Sequence, residues 1–194
     1  MPVDFLSATQ IAGYGRYAEP PSARQLERFF HFDDRDRALI TGRRGDHNRL
    51  GFAVQLATVR FLGTFLAHPA DVPPVVAGTV ARELAITDPD CLARYARREQ
   101  THREHAGEIQ RAYGSRDFSE RTAQAELTVW LHARAWTTAE RPSVLFDLAT
   151  ARLIEARVLL PGASGARPSG RCGPRPGHRS PARHARGRDH SRPT

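Results

Sequence analysis

The sequence predicts an all-α protein: a multi-helix orthogonal bundle followed by a disordered basic tail. Apolar residues recur at helical spacings, and no period-two alternation is long enough for a sheet. Capping residues and prolines recur where helices would start, at Ser22, Asp33, Pro74, Asp88-Pro89 and Pro142. At Pro161 the composition breaks, and 161–194 contains no Val, Ile, Leu, Met, Phe, Trp or Tyr. The expected organisation is a helical domain over residues 1–160 and a tail over 161–194. The tail buries too little apolar area to offset the entropy of ordering it.

Each element has a local reason. Ser22 follows Pro20-Pro21 and precedes Gln25 by three, a capping-box signature for a helix whose apolar face is Leu26, Phe29 and Phe30. Asp33 or Asp34 can cap a short helix carrying Ala38, Leu39 and Ile40. Gly45-Asp46 breaks the chain before the strongest segment, His47 to Leu62. There Leu50, Ala53, Ala57 and Phe61 form one stripe, and Phe52, Leu56 and Val59 another. An apolar surface that broad belongs to a central helix packed on several sides. Pro69, Pro73 and Pro74 mark a connection, and Pro74 suits the first turn of a helix through Val76, Val80 and Leu84. Asp88-Pro89 opens another, leading to Leu92 and Tyr95. A polar helix is expected from Arg97 to Tyr113, ending at a left-handed Gly114. Ser119 is the expected cap of the next helix, with Leu127, Trp130, Leu131 and Ala135 inward. Pro142 starts the last, which carries Leu145, Phe146, Leu148, Leu153 and Ile154.

Composition narrows the function. The 194 residues are 40% hydrophobic and 26% charged, ordinary for a soluble domain and too few for a large multidomain enzyme. Cys91 and Cys172 are too few and too far apart for a disulfide framework or a cysteine metal cluster. No apolar run approaches the ~18–20 residues of a membrane span. The start, Met1-Pro2-Val3-Asp4-Phe5, lacks the basic and apolar regions of a signal peptide. The net charge is +8, but eight arginines and one aspartate give 161–194 a charge of +7, leaving +1 for residues 1–160. All 29 basic residues are arginine, as GC-rich coding DNA would produce.

Signals for catalysis are weak. His102, Glu104, His105 and Glu108 share a polar helix, and their expected role is a solvated face, since no further metal ligand is indicated. Cys91 reads as a small buried hydrophobe. Phosphate-binding glycine loops, a nucleophile elbow and a paired-carboxylate setting are absent from the sequence, so no catalytic residue, metal or cofactor is expected. The binding signal is better. Arg43, Arg44, His47, Asn48 and Arg49 cluster at the mouth of the most apolar helix, where amides and guanidinium groups suit a phosphate. Arg60 lies further along the same helix. Arg94, Arg97, Arg98 and Arg103 form a second cluster. Asp33, Asp34, Asp36 and Asp46 can neutralise the first, so two readings stay open: nucleic-acid binding, or arginines engaged in intramolecular ion pairs.

The central residues also carry a resemblance. The run Arg43-Arg44-Gly45-Asp46-His47-Asn48-Arg49-Leu50-Gly51-Phe52-Ala53-Val54-Gln55-Leu56, continued by Val59-Arg60-Phe61-Leu62-Gly63-Thr64-Phe65, resembles the N-terminal domain of Tn-three-family transposases. Collinear matches are Pro2-Val3-Asp4-Phe5-Leu6, Tyr14-Gly15-Arg16-Tyr17, Leu26-Glu27-Arg28-Phe29-Phe30, Tyr113-Gly114, Phe118, Trp130-Leu131, Ala135-Trp136 and Arg141 to Asp147. The resemblance implies a helical region that recognises double-stranded DNA at transposon terminal inverted repeats, in the bacterial cytoplasm and with no membrane partner. It also implies a magnesium-binding catalytic domain far downstream, so this chain is expected to carry recognition without the acidic triad. The alternatives are a non-catalytic assembly module and a decayed remnant. The likeness stops near Leu160, where an out-of-frame reading of GC-rich DNA accounts for the tail; a selected basic arm is the other account.

Overall fold

The computed structural model describes Gln10 and residues 13–161. The disorder and frameshift origin expected for the tail concern 161–194, which beyond Pro161 lie outside the described residues. Among those residues the elements are α1 (Ala23–Phe29), α2 (Asp34–Thr41), α3 (Asp46–Leu62), α4 (Pro74–Glu83), α5 (Leu92–Ala96), α6 (Glu99–Tyr113), α7 (Arg121–Thr137) and α8 (Pro142–Glu155). Short 3-10 turns at Pro69–Asp71 and Pro89–Cys91 precede α4 and α5. The protein is all-α, as its periodicity predicts.

The local signals act as expected at most helix starts. Ser22 and Gln25 exchange side-chain-to-backbone hydrogen bonds in a full capping box, and Asp33 and Asp36 do the same for α2. Pro74 and Pro142 occupy the first turns of α4 and α8. Gly114 closes α6 at φ +63°. Two boundaries and one burial differ from expectation. The polar helix begins at Glu99 rather than Arg97. Glu120, not Ser119, is the N-cap of α7, and it makes no side-chain cap bond. Ala38 and Ala135 are exposed, because small alanines complete an apolar pattern without needing burial.

Everything is arranged around α3. All nine residues from Leu50 to Thr58 are buried, with α1, α2, α4, α5, α6 and α8 packed against the helix. α5 approaches so closely that a Cβ on Gly51 would lie 2.2 Å from the Tyr95 ring, so only glycine fits. Two buried polar groups are satisfied rather than stranded. Gln55 donates to the Leu66 carbonyl at 3.0 Å and accepts from the Leu66 amide at 2.9 Å, fixing the chain after α3. Thr58 shares a 2.8 Å hydrogen bond with the Tyr17 hydroxyl, whose pKa burial pushes up to about 12. A second, smaller core of Ala123, Leu153, Val158 and Leu160 lies under the α7–α8 hairpin. It is tied to the first where the Leu160 amide donates to the Gly63 carbonyl at 2.9 Å.

Charged side chains staple these elements. Asp36 is 1% exposed and accepts from Arg60 at 2.5 Å and from the Tyr113 hydroxyl. Burial alone would raise its pKa, but the Arg60 and Tyr113 hydrogen bonds and the Arg60 charge together hold it below the usual value. Arg43 pairs with Glu108 on α6, donates to the Leu39 carbonyl at 3.2 Å, and lies 4.7 Å over the Phe52 ring. It therefore joins α2, α3 and α6. The histidine pair on α6 corrects the solvated-face expectation: His102 and His105 are both buried. His102 Nε2 is 2.6 Å from the Tyr95 carbonyl oxygen, and His105 Nδ1 is 3.2 Å from the Tyr95 hydroxyl. Burial, with the Arg43 charge adding to it, pushes the His105 pKa down to about 4.

Three stability outcomes follow. Asp36→Asn should cost about 3 kcal/mol, because it strands Arg60 in a half-buried site. Since the Asp36 pKa is depressed, its contribution is full at neutral pH and fades as pH falls below ~4; urea titrations should show that limb reduced in the variant. His105 is also depressed, so the unfolded chain binds its proton first. Stability should drop as pH falls from ~6.5 towards 4, and His105→Gln should flatten that slope. Arg43→Ala should cost about 2 kcal/mol, whereas exposed Arg44→Ala should change thermal unfolding by less than about 0.5 kcal/mol.

Candidate nucleic-acid interface

The residues singled out from the sequence divide between the two ends of α3. Arg60 lies 13 residues beyond His47, about 20 Å along the axis at 1.5 Å per residue. There it bonds to Asp36 and lies 5.1 Å over the Tyr113 ring. Arg43 faces α6 through Glu108. Both guanidinium groups are thus spent within the fold. Arg49 is intermediate: it pairs with Asp46 at 3.1 Å and reaches the Leu84 carbonyl at 3.4 Å.

Arg43 and Arg49, like the remaining candidates, lie at the opposite end from Arg60, where α3 starts. Gly45, at φ +78°, is its N-cap and provides no side-chain cap, so the first turn presents amides and the positive end of the helix dipole. Asn48 donates to the Arg44 carbonyl at 2.9 Å, which holds the preceding loop against that turn. Arg94 on α5, Arg97 at its C-cap and Arg98 at the N-cap of α6 come from the neighbouring corner. The two corners meet at His47. Burial lowers the His47 pKa first, the positive charges of Arg94 and Arg98 lower it further, and Asp46 partly opposes them. Two clusters separated by more than 40 residues of sequence therefore act within one electrostatic neighbourhood.

Two features distinguish this end from the stapled one. Arg44, Arg94, Arg97 and Arg98 are exposed, and among the described residues none has a carboxylate within 4.0 Å. Moreover, both ring nitrogens of His47, Oδ1 of Asn48 and Nε of Arg49 are buried without a hydrogen-bond partner. Buried polar atoms rarely stay unsatisfied without a reason. Arg103 differs from the rest of its cluster, being paired with Glu99 one turn back. Cys91 lies buried beside this corner, its thiol pKa raised by burial and by Asp88 and Asp46, as suits a packing residue. The described residues contain no group of three or more His, Cys, Asp or Glu positioned for a metal ion, and no described helix is long and apolar enough to cross a membrane.

Sequence reasoning missed the buried Asp36–Arg60–Tyr113 group and the roles of His102 and His105, because their partners lie on other helices. Spacing within a helix carried no sign of them.

Comparison with known proteins places the chain. Residues 5–165 match the family model described as "Domain of unknown function (DUF4158)". The chain is 50% identical over 164 residues to the transposase for transposon gamma-delta of Escherichia coli strain K12, covering 84% of this chain and 16% of that protein. It is 45% identical over 92 residues to the transposase for transposon Tn501 of Pseudomonas aeruginosa, covering 47% and 9%. Against the transposase for transposon Tn21 of Escherichia coli it is 40% identical over 102 residues, covering 53% and 10%. The chain thus spans a sixth or less of the length of each of these relatives. Over residues 5–165 it belongs to the family described as a domain of unknown function, DUF4158, and its N-terminal ~165 residues are homologous to Tn-three-family transposases.

Proposed function

We propose that this domain is a DNA-recognition module of the transposase type, engaging double-stranded DNA at transposon terminal inverted repeats. The observation that carries it is that Arg44 directly precedes the uncapped N-terminus of α3 while the charges of Arg94 and Arg98 act on His47 in its first turn, and none of the three has a carboxylate partner among the described residues. Guanidinium groups beside helix amides form a site for backbone phosphate. His47 and Asn48, half-buried in the first turn of the same helix, are the groups suited to reading the duplex once phosphate contacts have set its position. Arg43 and Arg60 act in support. They hold α2 and α6 against α3 and leave their own charges neutralised.

The relatives are named as transposases, and their cutting chemistry is assigned here to the portion of those proteins that this chain does not span. The domain's task is binding. The competing reading, an assembly module whose arginines only make internal ion pairs, draws support from Arg43, Arg49 and Arg60. The four unpaired arginines favour DNA.

The test is a binding titration of the full chain against transposon-end and random duplexes over a salt series. The end duplex should bind more tightly, with an advantage that persists as salt rises. Arg44→Ala and Arg97→Ala should each weaken both duplexes similarly and reduce the log–log salt slope by about 1. Asn48→Ala should instead erode the preference between duplexes. Equal affinity for the two duplexes, or slopes unchanged in both arginine variants, would overturn the proposal.

A further inference from the structure

His47 stands where the two arginine groups of the α3 corner act together, and its charge state depends on both. It is the second residue of α3, whose start carries no side-chain cap, so its ring lies at the positive end of the helix dipole. The ring also lies against the preceding loop: a Cβ on Gly45 would be 3.0 Å from its Cε1 and 3.2 Å from its Nδ1. Gly45, at φ +78°, therefore provides both the left-handed turn and the room for the imidazole. Both ring nitrogens are buried, and among the described residues neither has a hydrogen-bond partner. No internal bond has to break for the ring to gain a second proton.

The surroundings favour the neutral ring. Burial, then the charges of Arg94 on α5 and Arg98 at the N-cap of α6, hold His47 below the ordinary histidine value, against the opposing pull of Asp46. The Asp46 carboxylate is itself shared with Arg49, at 3.1 Å. Asp88 and Asp90, in the turn ahead of α5, bear on the Cys91 thiol in the same corner. At neutral pH the ring is uncharged. The same arginines, with Arg44, are the phosphate contacts of the DNA reading, on which this inference rests. A phosphate bound to them cancels the charge that keeps the ring neutral. The ring then holds two donors in place of one donor and one acceptor. We propose that His47 couples duplex binding to pH, being neutral in the free protein and gaining a proton as phosphates settle on Arg94 and Arg98. Because the complex holds more protons than the free protein, affinity rises as pH falls through the histidine range.

The experiment titrates the full chain, carrying His178→Gln, His184→Gln and His190→Gln, with transposon-end duplex between about pH 5.5 and 8, where an ordinary imidazole changes charge. Those substitutions remove the histidines that lie among the arginines of 161–194. The range stays above the value of about 4 for His105. Affinity is read by fluorescence anisotropy, and the His47 imidazole by NMR with and without duplex. The His47 midpoint should rise by at least about half a pH unit on binding, and affinity should climb about 3-fold from the top of the range to the bottom. His47→Gln should lose that climb, whatever its absolute affinity, and His132→Gln, on α7, should keep it. The midpoint is measured on the native side chain, so it decides the question even if His47→Gln does not fold. An unmoved midpoint, or a climb that survives His47→Gln, would overturn this inference while leaving the DNA reading intact. Duplex binding absent at every pH would sink both.

Discussion

Between Leu50 and Thr58, α3 has no solvent-facing side, and that constraint organises the protein. A helix enclosed on every side needs neighbours around its circumference, and the chain provides them as short helices whose starts are fixed by local caps and prolines. It also needs every polar atom in its buried span to find a partner. Gln55 and Thr58 do so through Leu66 and Tyr17, so the polar residues within the core act as fasteners for the loops around it. Gly51 marks where the enclosure is tightest, against Tyr95.

Enclosing the middle of α3 leaves its two ends to do different work. At the C-terminal end Arg60, Asp36 and Tyr113 form a closed group whose charges cancel in place. At the N-terminal end the closure is partial: Arg43 and Arg49 are paired, whereas Arg44, Arg94, Arg97 and Arg98 have no carboxylate within 4.0 Å among the described residues. The first turn lacks a side-chain cap, His47 sits in the field of Arg94 and Arg98, and several polar atoms have no partner. Arginine occurs at both ends, so residue type alone does not separate the roles. What separates them is whether a carboxylate is held within reach by the packing.

The α7–α8 hairpin stands apart from this scheme. It has its own small core and joins the main one through the strand-like segment at Val158 to Leu160 and through α8. A two-helix element with so little behind it buries one side and leaves Val129 and Trp136 exposed on the other.

The sequence by itself determined the helices, most of their boundaries, the central place of α3, the burial of Cys91 and the family. These rest on short-range physics: caps act within three residues, prolines restrict their own turn, and apolar periodicity is read along one helix. Only the tertiary structure decided which arginines are spent and which are free. The partners of Arg43 and Arg60 are 65 residues downstream and 24 upstream, and neither can be paired by spacing along a helix. The histidines of α6 were hidden for a related reason, since they look solvated on a polar helix until the hydroxyl and carbonyl of Tyr95, on the neighbouring helix, close over them. Local sequence fixes where a side chain points along its own helix; whether it meets water, an acid or an aromatic ring depends on which helix packs there.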